Sequence, residues 1–168
     1  EDASSTTGSD VTYTYDSCTN GMGQLCYTSV NSGASQTFTY FASGRNASET
    51  STVVSTGYTT RYTYYHQGNV LTTIEPDSSV VQNTYNALGK IDTVSRKGAS
   101  DPSFSLVVSD MDYGVHGQLT SEAYANGTSS TWDYDETERY RLKRKQTLGP
   151  AASISTTVSF YPSAGDGS

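Results

Sequence analysis

The residues of this sequence that could do chemistry are few. Asp110 and Asp112 stand two apart, and Asp133 and Asp135 repeat that spacing. Residues two apart on a strand share a face, so each pair presents two carboxylates together. Side by side, the pairs could hold calcium, which takes several oxygen ligands, or supply the two carboxylates of glycoside hydrolysis. A solvated acidic face is the plainer reading of Asp110 and Asp112. His66 and His116 fall inside turns, with no positioned partner of the kind general acid–base catalysis needs, and read as solvated turn residues. Cys18 and Cys26 bracket a turn; a disulfide is expected, with two reduced thiols as the alternative, and two cysteines are too few for a metal site. Half of the ten basic residues cluster at Arg139, Arg141, Lys143, Arg144 and Lys145. In an unbroken strand Arg139, Arg141, Lys143 and Lys145 alternate onto one face, a possible nucleic-acid contact. The chain as a whole carries a net charge of -7, so counterion release would be poor. A basic strand lying beside the acidic stretch 133–138, or a charged edge that blocks aggregation, fits better, and no nucleic-acid partner is expected. Phosphate-loop, GxSxG, HExxH and dinucleotide-binding patterns are absent. The sequence therefore predicts no catalytic residue, no cofactor and no enzyme.

The elements that position these residues follow one recurring phrase: a tyrosine, three residues, then a glycine. It runs Tyr40 to Gly44, Tyr64 to Gly68, Tyr85 to Gly89, Tyr113 to Gly117 and Tyr161 to Gly165. Looser copies begin at Tyr15-Asp16, where an insertion precedes Gly23, and at Tyr134-Asp135, where Glu138 replaces the glycine. The anchors recur every 21 to 28 residues, the signature of a repeat architecture. Tyr13, Phe38, Tyr62, Met111 and Trp132 stand two before their anchors, with Thr14, Thr39, Thr63, Asp112 and Asp133 between. That alternation predicts a strand, and the glycine predicts a turn that needs positive φ. A polar and then usually an apolar residue follows, as in Gln24-Leu25, Asn69-Val70, Lys90-Ile91 and Gln118-Leu119, and opens the next strand. Second turns follow at Asn31-Ser32-Gly33, Pro76-Asp77-Ser78 and Asn126-Gly127, the last a signal for a two-residue hairpin. Each repeat is thus a β-hairpin that needs its neighbours for stability.

Composition agrees with an unusual β protein. Leu, Ile, Val and Phe number 26 of 168 residues, fewer than an ordinary core uses, while 14 tyrosines fall at periodic positions. The expectation is an all-β sheet packed through aromatic rings, which bury large area and keep a polar tip, and not a disordered Ser/Thr-rich stalk. No helical periodicity and no apolar run near the roughly 18 residues of a membrane span occur. The expected organisation is a linker or the end of a preceding repeat at 1–10, a repeat sheet over 11–160 and the start of a truncated further repeat at 161–168, as in a fragment of a longer array or one unit that continues into a neighbour. Asn46-Ala47-Ser48 and Asn126-Gly127-Thr128 fit the N-glycosylation pattern, which matters only in a secretory host.

The repeat resembles that of the Rhs or YD-repeat family: bacterial Rhs proteins, toxin-complex shell components and the animal teneurins. Tyr15-Asp16 and Tyr134-Asp135 keep its acidic second residue, and Gly44-Arg45 its glycine-arginine pair. Gly23-Gln24-Leu25, Gly68-Asn69-Val70 and Gly117-Gln118-Leu119 keep glycine, polar and apolar residues in order. The resemblance covers nearly everything from Val11 onward. It implies tandem β-hairpins joined in one curved antiparallel sheet, part of a secreted or cell-surface shell that encloses a C-terminal toxin. The partners it implies are the rest of the array and that toxin domain; an adhesive or glycan-binding module, possible as a surface fibre, is the alternative. The chain departs from the family in having few repeats, no toxin domain and no self-cleaving segment after them: Asp101-Pro102 runs on into Ser103-Phe104-Ser105, a loop.

Overall fold

The computed structural model describes residues 10–31, 33–137, 139–150 and 155–159. Tyr161, Gly165 and the whole stretch 161–168 lie outside the described residues, as do Glu138 and residues 1–9. Among the described residues there are thirteen strands, and their order across the sheet is their order in the chain. Two compact units divide the chain, Glu1–Val80 and Val81–Ser168.

In the first unit β1 (Val11–Tyr15), β2 (Leu25–Val30), β3 (Ser35–Tyr40), β4 (Asn46–Val53), β5 (Thr56–Tyr64) and β6 (Val70–Ile74) pair in succession, all antiparallel. The second unit takes in all but the first residue of β7 (Val80–Tyr85). It continues with β8 (Ile91–Lys97), β9 (Ser105–Tyr113), β10 (Leu119–Tyr124), β11 (Ser129–Asp135), β12 (Arg141–Leu148) and β13 (Ser155–Ser159), and β8 to β13 likewise pair antiparallel.

The tyrosine-to-glycine step is one turn used again and again. At Phe41–Arg45 the Phe41 N–H donates to the Arg45 carbonyl at 2.9 Å, and the Gly44 N–H to the Phe41 carbonyl at 2.8 Å. Gly44 has φ of 77°. This is a type I turn closed by a left-handed residue, a conformation in which any Cβ is strained. The same bond pair recurs at Tyr65–Asn69, Asn86–Lys90 and Gly114–Gln118. The second turns have the same form at Val30–Ala34, Glu75–Ser79 and Tyr124–Thr128. The hairpin at Asn126-Gly127 therefore differs from the expected two-residue turn: Gly127 alone of the pair has positive φ, at 83°. The two-residue turn lies elsewhere, at Val54-Ser55, where Val53 pairs with Thr56 and both loop residues are left-handed, with φ of 47° and 64°.

Strand register sorts the side chains of the first unit by face. Phe38 pairs with Glu49 and Tyr40 with Asn46 on one face; Thr39 pairs with Ser48 and Thr50 with Thr59 on the other. The second face is laced by hydroxyl pairs: Thr39 to Ser48 at 2.7 Å, Thr50 to Thr59 at 2.9 Å and Thr63 to Thr72 at 2.6 Å. Cross-strand pairs of this kind are the unit of sheet stabilisation. In the second unit the same offset pairs Thr84 with Thr93 at 2.8 Å and Ser121 with Asp112 at 2.9 Å. An aliphatic core is nearly lacking: among the described residues the buried hydrophobic ones are Cys26 and Val108.

Candidate functional site

The repeating site is built on the anchor tyrosines. A bulge falls where the strand reaches its anchor, with the extra residue on the partner strand. Thr14 and Tyr15 pair with Tyr27 and Leu25, Thr39 and Tyr40 with Ser48 and Asn46, Thr63 and Tyr64 with Thr72 and Val70. Asp112 and Tyr113 pair with Ser121 and Leu119, Asp133 and Tyr134 with Arg144 and Leu142. A bulge leaves its extra residue unpaired and locally breaks the ladder. The carbonyl just before the bulged residue then receives the anchor hydroxyl of the following repeat. Tyr40 donates to Leu25 at 2.6 Å, Tyr64 to Asn46 at 2.8 Å and Tyr134 to Leu119 at 2.9 Å. Tyr113 makes the equivalent bond to Ile91 at 2.9 Å. In each case the acceptor lies two residues beyond the glycine of an earlier turn. Tyr15, 56% exposed, makes no such bond among the described residues.

The rings are held as well as the hydroxyls. Phe41 meets Tyr64 edge-on, with centroids 6.1 Å apart, and the Arg45 guanidinium lies 5.6 Å from the Tyr64 centroid. Burial pushes the Tyr64 hydroxyl pKa up, and Arg45 offsets this in part. Burial raises Tyr113 too, with Asp92 and Glu122 adding to it. Tyr62 donates to Glu49 at 3.0 Å and is pushed up to about 12, by burial first and then by the Glu49 hydrogen bond and charge. Tyr124 donates to Glu122 at 2.7 Å, and that bond is the main cause of its raised pKa.

Cys18 and Cys26 form a disulfide. Cys26 is the bulged residue of β2 and is 2% exposed. The loop it closes packs around Gly21, where a Cβ would run into both sulfurs. Its tip presents Asn20, whose side-chain amide donates to the Tyr40 carbonyl at 3.0 Å.

The remaining candidates disperse. Asp112 is engaged by Ser121, and Asp110 lies opposite Ala123 on the same face. Among the described residues no group of three or more His, Cys, Asp or Glu stands close enough to hold a metal ion, so Asp110 and Asp112 are not brought together with Asp133 and Asp135 as a calcium set. Asp133 instead takes Arg144 in an ion pair at 2.6 Å. The basic strand corrects the alternation expected of it. Lys143 is the bulged residue, so Arg141 and Arg144 both face the acidic strand, opposite Asp135 and Asp133. Lys145 turns to the other face and caps Trp132 at 4.8 Å. Arg139 is in a turn, with φ of 57°. His66 and His116 are exposed, and the His116 ring meets Tyr140 at 4.2 Å. Asn46 opens β4 and Asn126 sits at a turn tip. Among the described residues no helix is long and apolar enough to cross a membrane.

No family model matches the sequence, and no curated protein matches it. Solved structures do. The chain is similar to the crystal structure of TcdB2-TccC3, with a TM-score of 0.75 and 16% identity over 90% of this chain and 8% of that one. It is also similar to the Photorhabdus luminescens Tc holotoxin pore carrying the TccC3 mutation D651A, with a TM-score of 0.71 and 16% identity over 84% of this chain and 8% of that one. The chain spans less than a tenth of either. The likeness is one of fold, an all-antiparallel sheet of successive hairpins.

Proposed function

We propose that this chain is a non-enzymatic structural segment of a longer secreted or surface-displayed YD-repeat protein whose shell encloses a toxin domain. One observation carries the reading: the bond from anchor hydroxyl to an earlier repeat's carbonyl, at Tyr40, Tyr64, Tyr113 and Tyr134. A lone hairpin is marginal in water, and a lock that recurs at four of the anchors lets a wall grow from short units held by their neighbours. The likeness to TcdB2-TccC3 supports the same reading. In it, residues 11–160 are six repeats anchored at Tyr15, Tyr40, Tyr64, Tyr85, Tyr113 and Tyr134, and Tyr161 with Gly165 opens a seventh. Its partners are the rest of the array and the enclosed domain.

The test is electron microscopy of the native polypeptide together with its intact mass. A hollow particle from a polypeptide several times longer than this chain is the expected result. Filaments, or a native polypeptide of about this length, would overturn the shell.

A second reading, an extracellular adhesive module for glycans, has its own support in the exposed rings of Tyr13 and Tyr58. Binding of the chain to a printed panel of glycans tests it, and absence of binding ends it.

A further inference from the structure

We infer that Asn126 is a site of spontaneous covalent modification, at which the side-chain amide closes on the Gly127 nitrogen, loses ammonia and becomes aspartate or isoaspartate. The inference stands apart from the shell reading and the adhesive one. The chemistry needs two things together. The attacking main-chain nitrogen must belong to a residue without bulk at Cβ. The side-chain carbonyl must be folded over that nitrogen, with a donor on its oxygen. Asn20, Asn86 and Asn126 all stand at turns, and they combine these features differently.

Asn126 has both. It and Gly127 are exposed at the tip of the β10–β11 hairpin. The Thr128 N–H donates to Asn126 Oδ1 at 2.9 Å. This is an Asx turn, which folds the side chain over its own main chain and encloses the Gly127 nitrogen. As that nitrogen attacks, Oδ1 gains negative charge, and an N–H already aimed at it stabilises the charge. Asn86 has the donors without the glycine: the Leu88 and Lys90 N–H groups donate to its Oδ1 at 3.0 and 3.1 Å, but the Cβ of Ala87 crowds the attack. Asn20 has the glycine, but its side chain is pinned to another repeat. Its amide nitrogen, the leaving group, donates to the Tyr40 carbonyl at 3.0 Å, and Gly21 is buried against both sulfurs of the disulfide.

The step balances without a cofactor. The Gly127 nitrogen gives its proton to a solvent base and bonds to Asn126 Cγ. The Cγ–Nδ2 bond breaks, and Nδ2 takes up a proton and leaves as ammonia. Water then opens the cyclic imide at either carbonyl, leaving aspartate or isoaspartate. The proton that departs is the one Gly127 donates to the Tyr124 carbonyl at 3.0 Å, so the reaction waits on opening of that bond. Gly21 donates to the Cys18 carbonyl at the same distance, so this brake acts at both Asn-Gly pairs and does not decide between them. Either product adds a negative charge at the tip. Isoaspartate also adds a methylene to the main chain, in the turn whose bonds from Tyr124 to Thr128 fix the hairpin.

The test is peptide mapping by mass spectrometry of the full chain, its disulfide intact, after storage at mildly alkaline pH, with a second portion stored unfolded in urea. In the folded chain, conversion is expected at Asn126 roughly tenfold ahead of Asn20 and Asn86, the scale of one hydrogen bond to a developing charge. In urea the two Asn-Gly pairs should converge, because only the fold tells them apart. Ala87→Gly supplies the missing glycine at an exposed turn position and should bring Asn86 up to the rate of Asn126, while Asn126→Gln should remove the main product. Equal conversion of Asn20 and Asn126 in the folded chain overturns the inference. So does an unmodified Asn126 in the folded chain when the urea portion is modified there, or an Asn86 that stays unmodified in a folded Ala87→Gly chain. The comparison of Asn126 with Asn20 needs no variant, so it holds whether or not a variant folds.

Discussion

The anchor tyrosine acts through a single oxygen. Its hydroxyl reaches the carbonyl next to a bulge, and a buried polar group left without a partner is costly. Tyr64→Phe or Tyr113→Phe should therefore lower stability by about 1 kcal/mol each, while Tyr15→Phe, whose hydroxyl makes no such bond among the described residues, should leave it unchanged; urea unfolding of the three variants checks this. The Tyr62–Glu49 pair gives a pH dependence. The Tyr62 pKa in the folded chain is about 12 against an ordinary 10.0. A folded pKa above the unfolded one means the contribution is whole below pH 10 and is lost as pH rises toward 12. Thermal melts across that window should show falling stability, and Tyr62→Phe should flatten the fall. The positions of these tyrosines were legible in the sequence from their spacing. Their bonds were not, because the acceptor is a main-chain atom of another repeat and leaves no mark in residue type. The partners of the acidic pairs were hidden for a related reason: sharing a face says nothing about what stands opposite, which is Ser121 for Asp112 and Arg144 for Asp133.

At the scale of the element, turns and bulges decide what alternation alone cannot. The Tyr-x-x-x-Gly phrase gave the first turn of each repeat directly, since only a residue tolerant of positive φ fits its end. The turn at Val54-Ser55 was invisible because its residues are wrong for its shape. Val54 is β-branched, 90% exposed and held at φ of 47°, a conformation that Asn and Gly adopt with little strain. Val54→Asn with Ser55→Gly should raise stability by about 1–2 kcal/mol, read as a higher urea midpoint with an unchanged slope. One bulged residue, Lys143, likewise undid the expected basic stripe, since a one-residue slip sends every later side chain to the other face. The disulfide was legible as a pair of cysteines around an insertion, but its reach to the next repeat through Asn20 was not. Its reduction should destabilise the β1–β2 hairpin by about 2–3 kcal/mol and speed amide exchange in β1 and β2 ahead of β8 to β12.

At the scale of the molecule, a sheet with almost no aliphatic interior must be stabilised strand by strand. Composition said as much, with too few Leu, Ile, Val and Phe for a core and a tyrosine at each period. Stability in such arrays is close to a sum of local and nearest-neighbour terms. Hydrogen-exchange mass spectrometry should accordingly show graded protection, lowest in β1, which pairs with β2 alone among the described residues, and higher in strands paired on both sides; a single global exchange rate would contradict this. The fold class was readable from the period of the tyrosines and the alternation of the strands before them.

The acceptors of the tyrosine lock are Leu25, Asn46, Ile91 and Leu119: two leucines, an isoleucine and an asparagine offering the same atom. Selection on that bond thus constrains one residue in each pair and leaves the other free to drift. Hairpins locked this way are interchangeable parts. Unequal crossing-over between two of them still joins a hydroxyl to a carbonyl, so arrays can lengthen, shorten and shuffle while the architecture persists. Such an array can keep one shape while its sequence changes almost entirely, and the fold this chain shares with the Tc holotoxin structure comes with 16% identity.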